Sequence, residues 1–206
     1  MNSYNTFIFD SVPDLKDVPE MHIKNYNWEE PHFSRPETYM RFFAVRNKGY
    51  FAFMRSFEHP ILKRYTKRDE PIWTDSCLEV FLAPVKGREE YMNFEMNANG
   101  AYLTQFGKCR ENRVFMKDLT SLAPVVNAQV DDENGSWQIG LFIPESLISE
   151  LYGVDFHVGE GEIKGNFYKC ADDSPSPHYL SLFPVGSVEL GFHNPATFGT
   201  IIINEG

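Results

Sequence analysis

Apolar and polar side chains alternate with period two through most of the chain, and turn-forming residues interrupt the alternation every few positions. This pattern predicts short antiparallel strands. Tyr39–Val45 and Tyr50–Phe57, joined by Arg46-Asn47-Lys48-Gly49, read as a hairpin whose Phe51, Phe53 and Phe57 share one face, assigned to the core. Ser76–Leu82, Tyr91–Asn97 and Ala101–Phe106 read as a three-stranded meander, turned at Asn97-Ala98-Asn99-Gly100. Val125–Val130 and Ser136–Ile143 flank Asp131-Asp132-Glu133-Asn134-Gly135, a strong hairpin loop. Glu162–Cys170, His178–Pro184 and Gly199–Asn204 are strand-like as well. One helix is predicted, Pro144–Tyr152, with proline at its start, Leu147, Ile148 and Leu151 at helical spacing, and Gly153 at its end. Short strands in this number with one small helix predict an all-β fold, an antiparallel β-sandwich.

Neither a fixed-period repeat nor an interdomain linker interrupts the 206 residues, so a single domain over residues 1–206 is expected. Eighteen Phe, ten Tyr and three Trp are ample for a buried core and exclude disorder. Nineteen basic against twenty-nine acidic residues, a net charge of −10, is the wrong sign for phosphate backbones or anionic lipid, so no nucleic acid and no membrane partner is expected. No apolar run approaches the roughly 18 residues of a membrane span, which predicts a soluble chain. Met1–Asp10 lacks a basic segment followed by an apolar one; the cytoplasm is the default location, secretion or the periplasm applying if a leader has been removed. Cys77, Cys109 and Cys170 are odd in number and far apart without a CxxC pair, so they read as reduced thiols rather than a disulfide framework or a zinc site. Asn134-Gly135-Ser136 matches a glycosylation sequon, read as turn chemistry.

Candidate chemistry concentrates in two strands. In the first, Leu78, Val80 and Leu82 share one face and Cys77, Glu79 and Phe81 the other; in the second, Tyr91, Asn93, Glu95 and Asn97 share a face. A simple connection places Glu79 across from Glu95, giving a row of acids and amides. Carboxylates and amides suit neutral hydroxyls, and Trp73 offers a ring on which the C–H face of a sugar could stack. The same pattern also describes the solvated face of an ordinary sheet.

The segments WTDSCLEVFLAP, YMNFEMNANGAYL, GNFYKCADDSPSPHYLSLFPV and FHNPATFGTIII, in this order, resemble the successive motifs of the family 9-like carbohydrate-binding modules, first known as xylanase appendages and related to a broader sugar- and haem-binding sandwich group. The resemblance runs from about Tyr39 to Ile203. It implies a jelly-roll-like sandwich and non-catalytic binding of mono- or oligosaccharides from plant or microbial polysaccharide, accessory to carbohydrate breakdown. It also implies an aromatic wall at Trp73, a hydroxyl-binding acid at Glu79 and an amide at Asn97. Glu95 stands where the xylanase-linked type has an arginine, and Leu182 where relatives often have a tryptophan, leaving Phe183, Phe192 or Trp137 for a second wall.

Other chemistries remain open. Glu79 and Glu95 could act as a glycoside hydrolase pair, which needs carboxyls about 5–5.5 or 6.5–9.5 Å apart. Asp131, Asp132, Glu133, Asp172 and Asp173 could ligate the structural calcium that the resemblance implies. His22, His32, His59, His157, His178 and His193 include no HxH or HExxH spacing. Met54, Met92 and Met96, candidate haem ligands in the broader group, read as core residues. A sandwich that has lost its sugar and serves a protein partner is the remaining alternative.

Overall fold

A computed structural model describes residues 2–28, 32–186 and 189–206. Its strands are β1 (Ser3–Phe9), β2 (Met21–His22), β3 (Asn25–Tyr26), β4 (Glu37–Val45), β5 (Gly49–Phe57), β6 (Cys77–Ala83), β7 (Tyr91–Asn97), β8 (Tyr102–Gly107), β9 (Arg113–Phe115), β10 (Val125–Asp131), β11 (Ser136–Pro144), β12 (Gly161–Cys170), β13 (Tyr179–Ser181) and β14 (Gly199–Glu205). The α-helix α1 (Glu145–Tyr152) follows β11, with Pro144 as its N-cap and Gly153 in the left-handed region (φ 64°) as its C-cap, as the sequence signals predict.

The ladder runs β10-β11-β5-β4-β1-β14-β12-β6-β7-β8-β9 and curls into a sandwich. One wing contributes Phe42, Tyr50, Met54, Ile139 and Leu141 to the main core; the other contributes Leu78, Val80, Leu82, Met92, Phe94, Met96 and Phe167. Phe42 and Phe167 meet edge-to-face across the core at 5.5 Å. Met54, Met92 and Met96 lie in this core. The helix buries Leu147, Ile148, Leu151 and Tyr152 in it.

Two features differ from the sequence expectation. The strand Ser3–Phe9 lies between β4 and β14 and pairs with both in parallel, so the sheet is antiparallel except at this seam. Tyr4, Thr6 and Ile8 are its buried face. The β5 assignment is inverted: Tyr50, Ala52 and Met54 point into the core, whereas Phe51 and Phe53 are half-buried on the outer face and Phe57 is exposed. Those outer rings cover a satellite cluster of Val18, Phe43 and Val45, with Phe43 and Phe51 stacked at 5.3 Å. Apolar side chains occur on both faces here because both faces are covered, so period two alone does not say which is inner.

Candidate functional site

On the outer face of β6, β7 and β12, Phe81, Tyr91, Leu103, Tyr168 and Phe192 form a second apolar cluster. Beside it opens a cavity of about 380 Å³ lined by, among others, Trp28, Trp73, Glu79, Glu95, Arg110, Asp172, Phe192 and His193. A cavity of equal volume lies over Phe51, Phe53 and Gln138 on the opposite wing; the acid that lines it among the described residues, Glu20, is paired with Arg41 and Arg55. The β6–β7 cavity is the one with buried carboxyl groups at its floor.

The ladder register makes Glu79 and Glu95 direct partners, as the strand pattern predicts. Glu79 is 3% and Glu95 4% exposed, unusual for carboxyls with no hydrogen bond from an arginine or lysine among the described residues. Glu79 Oε1 accepts from Cys170 Sγ at 3.0 Å, and Glu95 Oε1 from Asn93 Nδ2 at 2.8 Å. Among the described residues Glu95 Oε2 has no hydrogen-bond partner. Burial raises the proton affinity of both acids, and for Glu79 the nearby Glu95 adds to it. Asp172, also in the cavity, is pushed up to about 6 by burial and by Asp173. His193 is pushed down to about 3 by burial and by Arg113 and Arg110, so its ring is neutral at pH 7. Its Nδ1 bonds Tyr91 Oη at 2.9 Å.

Trp73 sits on the single 3-10 turn Ile72–Thr74 and is 40% exposed at the rim. Buried Asp75 closes that turn, accepting from the Arg64 and Tyr65 backbone N–H groups (2.7 and 3.0 Å), from Arg64 Nε (2.8 Å) and from Asn97 Nδ2 (3.0 Å). Trp28, which also lines the cavity, contacts Phe192 at 5.7 Å and Tyr179 at 6.0 Å, forming a second aromatic group there.

Of the residues singled out from sequence, Trp73, Glu79 and Glu95 meet in this cavity, and so does Phe192. Asn97 and Phe183 do not line it. The Asn97 amide is spent on Asp75 and the Tyr65 carbonyl, and its oxygen accepts from the Asn99 and Ala101 N–H groups, so it builds the β7–β8 turn. Phe183 is 1% exposed in the main core, where its ring packs on Gly199 so closely that a Cβ there would lie 2.3 Å from it. Leu182 is also core, and Trp137 lies on the opposite wing with Nε1 on Glu58 Oε1 at 2.6 Å. Trp28, Tyr179, Arg110 and His193 are cavity residues that strand alternation does not reveal; Trp28 lies in a loop, outside any periodic segment.

Three of the acidic turn residues have protein partners. Asp131 accepts from the Asn134 backbone and side chain, Asp132 pairs with Lys63, and Asp173 with Arg64. Among the described residues, the donor set that converges tightly enough for a metal ion is Cys77, Glu79 and Cys170. His178 is buried by Lys169, Ser34 and Ser176 away from the cavity.

No curated protein sequence matches the chain. Among solved structures, a protein from Bacteroides uniformis assigned to carbohydrate binding superposes with a TM-score of 0.83 at 24% identity, covering 98% of this chain and 99% of that one. A family 9 carbohydrate-binding module from Caldicellulosiruptor kristjanssonii in complex with glucose gives 0.68 at 12% identity, covering 99% and 96%. The same kind of module in complex with cellotriose gives 0.67 at 11%, covering 99% and 94%. At these identities the likeness is one of fold. The sequence profile of carbohydrate-binding family 9 matches residues 9–203, nearly the whole chain, and the chain therefore belongs to carbohydrate-binding family 9.

Proposed function

We propose that the chain binds a mono- or short oligosaccharide in the β6–β7 cavity without transforming it, in the service of breaking down plant or microbial polysaccharide. The observation that carries the reading is that exposed Trp73 and buried Glu95 line one cavity, where Glu95 Oε2 has no hydrogen-bond partner among the described residues and can accept from a hydroxyl. Trp28 and Phe192 supply a second apolar wall, and the volume lies within the roughly 300–1,000 Å³ of small-ligand pockets. Family membership and the glucose and cellotriose bound by modules of the same fold support the ligand class.

Titration with glucose, cellobiose and cellotriose, followed by tryptophan emission and calorimetry, tests it. Saturable binding that weakens at least tenfold (about 1.4 kcal/mol) in Trp73→Ala is expected. A flat response to a wider sugar panel, or an affinity indifferent to Trp73→Ala, sinks the reading.

One observation favours hydrolysis as a second reading: carboxyls of raised proton affinity, adjacent on the ladder, are what a general acid requires. Release of reducing ends from cellulose, xylan or mixed-linkage glucan that vanishes in Glu79→Gln would establish it in place of simple binding.

A further inference from the structure

Two of the cysteines, 93 residues apart in the chain, are brought face to face. Cys77 at the start of β6 and Cys170 at the end of β12 are directly opposed across the antiparallel ladder. Glu79, two residues beyond Cys77, points to the same side. The two sulfurs and a Glu79 carboxyl oxygen all lie within 4.8 Å of one another, and all three residues are buried. Glu79 and Cys170 line the cavity, so the trio has a path to solvent.

We propose that Cys77, Glu79 and Cys170 form a zinc site in the floor of the cavity. A tetrahedral zinc with Zn–S of about 2.3 Å and Zn–O of about 2.1 Å holds its donors roughly 3.5–3.8 Å apart. Cys170 Sγ and Glu79 Oε1 are 3.0 Å apart and no pair of the three donors is more than 4.8 Å apart, so small side-chain rotations suffice. Three protein donors leave the fourth position facing the cavity, the arrangement of an open rather than a closed zinc site. Two sulfurs with one carboxylate select a soft divalent ion over calcium or magnesium.

A second, independent observation points to a cation. Glu95, the ladder partner of Glu79, is 96% buried by its 4% exposure, and its Oε2 in the same cavity has no hydrogen-bond partner among the described residues. Neither sulfur nor the Glu79 carboxyl receives a hydrogen bond from any described lysine or arginine side chain, and the group that approaches Glu95, His193 Nε2 at 3.8 Å from Oε1, belongs to a ring that burial keeps neutral. Metal uptake replaces the two S–H bonds by two Zn–S bonds and releases both thiol protons to solvent, together with the Glu79 carboxyl proton wherever that buried group carries one. No electron transfer is involved. The site stands on the donor geometry alone and does not depend on whether a sugar binds.

Cobalt(II) reports thiolate ligation directly. In a Cys109→Ser background, which removes the half-buried third thiol, the full chain is expected to take up one equivalent of cobalt with a thiolate-to-metal charge-transfer band and tetrahedral visible bands. Zinc should displace it without further proton release, whereas zinc added to the metal-free protein should release both thiol protons. Cys77→Ser and Cys170→Ser should each abolish the charge-transfer intensity or halve it, and Glu79→Gln should weaken zinc binding roughly tenfold or more. Circular dichroism checks that each variant is folded; the background protein alone still decides the matter should a variant unfold. Absence of the thiolate band, its survival in the Cys77→Ser, Cys170→Ser double variant, or a Cys77–Cys170 disulfide in protein purified with zinc present would each overturn the assignment.

Discussion

Strand β12 carries a buried ionisable cluster on each face, and the two are built on opposite rules. On the core side Lys169 Nζ contacts Glu58 Oε1 at 2.9 Å, His178 Nε2 at 2.7 Å and the Cys170 carbonyl at 2.9 Å, and lies 5.5 Å from the Trp137 ring centroid. Burial and Lys169 push His178 down to about 2, so the ring stays neutral and accepts from the ammonium. Each charged group in that cluster has its counterpart. On the outer face Glu79, Glu95, Cys77 and Cys170 gather acids against acids, with Glu95 Oε2 left over. The first cluster is complete and fixes the shape of the sandwich. The second is incomplete, and a buried group that the protein does not satisfy is where a ligand has something to offer.

The contrast can be broken most severely at the complete cluster. Lys169→Met leaves Glu58 buried without its cation and is expected to cost about 3–5 kcal/mol in urea unfolding. Sugar affinity per folded molecule should be unchanged, because Lys169 lies on the other face of the strand. A variant of parental stability would show that Lys169 and Glu58 are not held together in solution.

At the incomplete cluster the sign reverses. The carboxyl of Glu95 holds its proton more tightly folded than unfolded, where its pKa is about 4.3. Between those two values the folded state binds more protons, so stability falls as pH rises through that window; the penalty is complete above the folded pKa and absent below the unfolded one. Glu95→Gln removes the penalty. It should therefore melt higher than the parent at alkaline pH, by on the order of 1–3 kcal/mol, and converge with it below about pH 4. Thermal scans across pH read this, and parallel pH profiles of the two proteins would contradict it. Sugar binding by the same variant should weaken, so stability and affinity move in opposite directions.

Trp73→Ala sharpens the comparison from its smallest side. At 40% exposure on a surface turn, the substitution should change unfolding free energy by within about 0.5 kcal/mol while removing the sugar stack. A large destabilisation would make Trp73 a packing residue rather than a binding one.

Much of the strand framework is legible without coordinates. The Glu79–Glu95 pairing follows from alternation plus a short connection, and the helix from its proline and glycine ends. The β5 faces are misread because Phe51 and Phe53 look like core and instead cover the satellite cluster around Phe43. Asn97 and Phe183 show the limit at the site itself. Asn97 lies two residues from Glu95 and Phe183 four from Tyr179, both of which line the cavity, yet Asn97 is spent on Asp75, and Phe183 is turned into the core against Gly199.

By itself the sequence determined the all-β class, the main hairpins and meander, and the presence of Trp73, Glu79 and Glu95 on one stretch of chain, because alternation and turn chemistry act over a few residues. The tertiary structure alone decided which face of each strand is inner, that Ser3–Phe9 joins the two wings in parallel, that Trp28 lines the same cavity as Trp73, and that Cys77 meets Cys170. Those are contacts between residues distant in the chain. They are fixed by how two wings of a sheet bury their apolar faces together, which local spacing cannot encode.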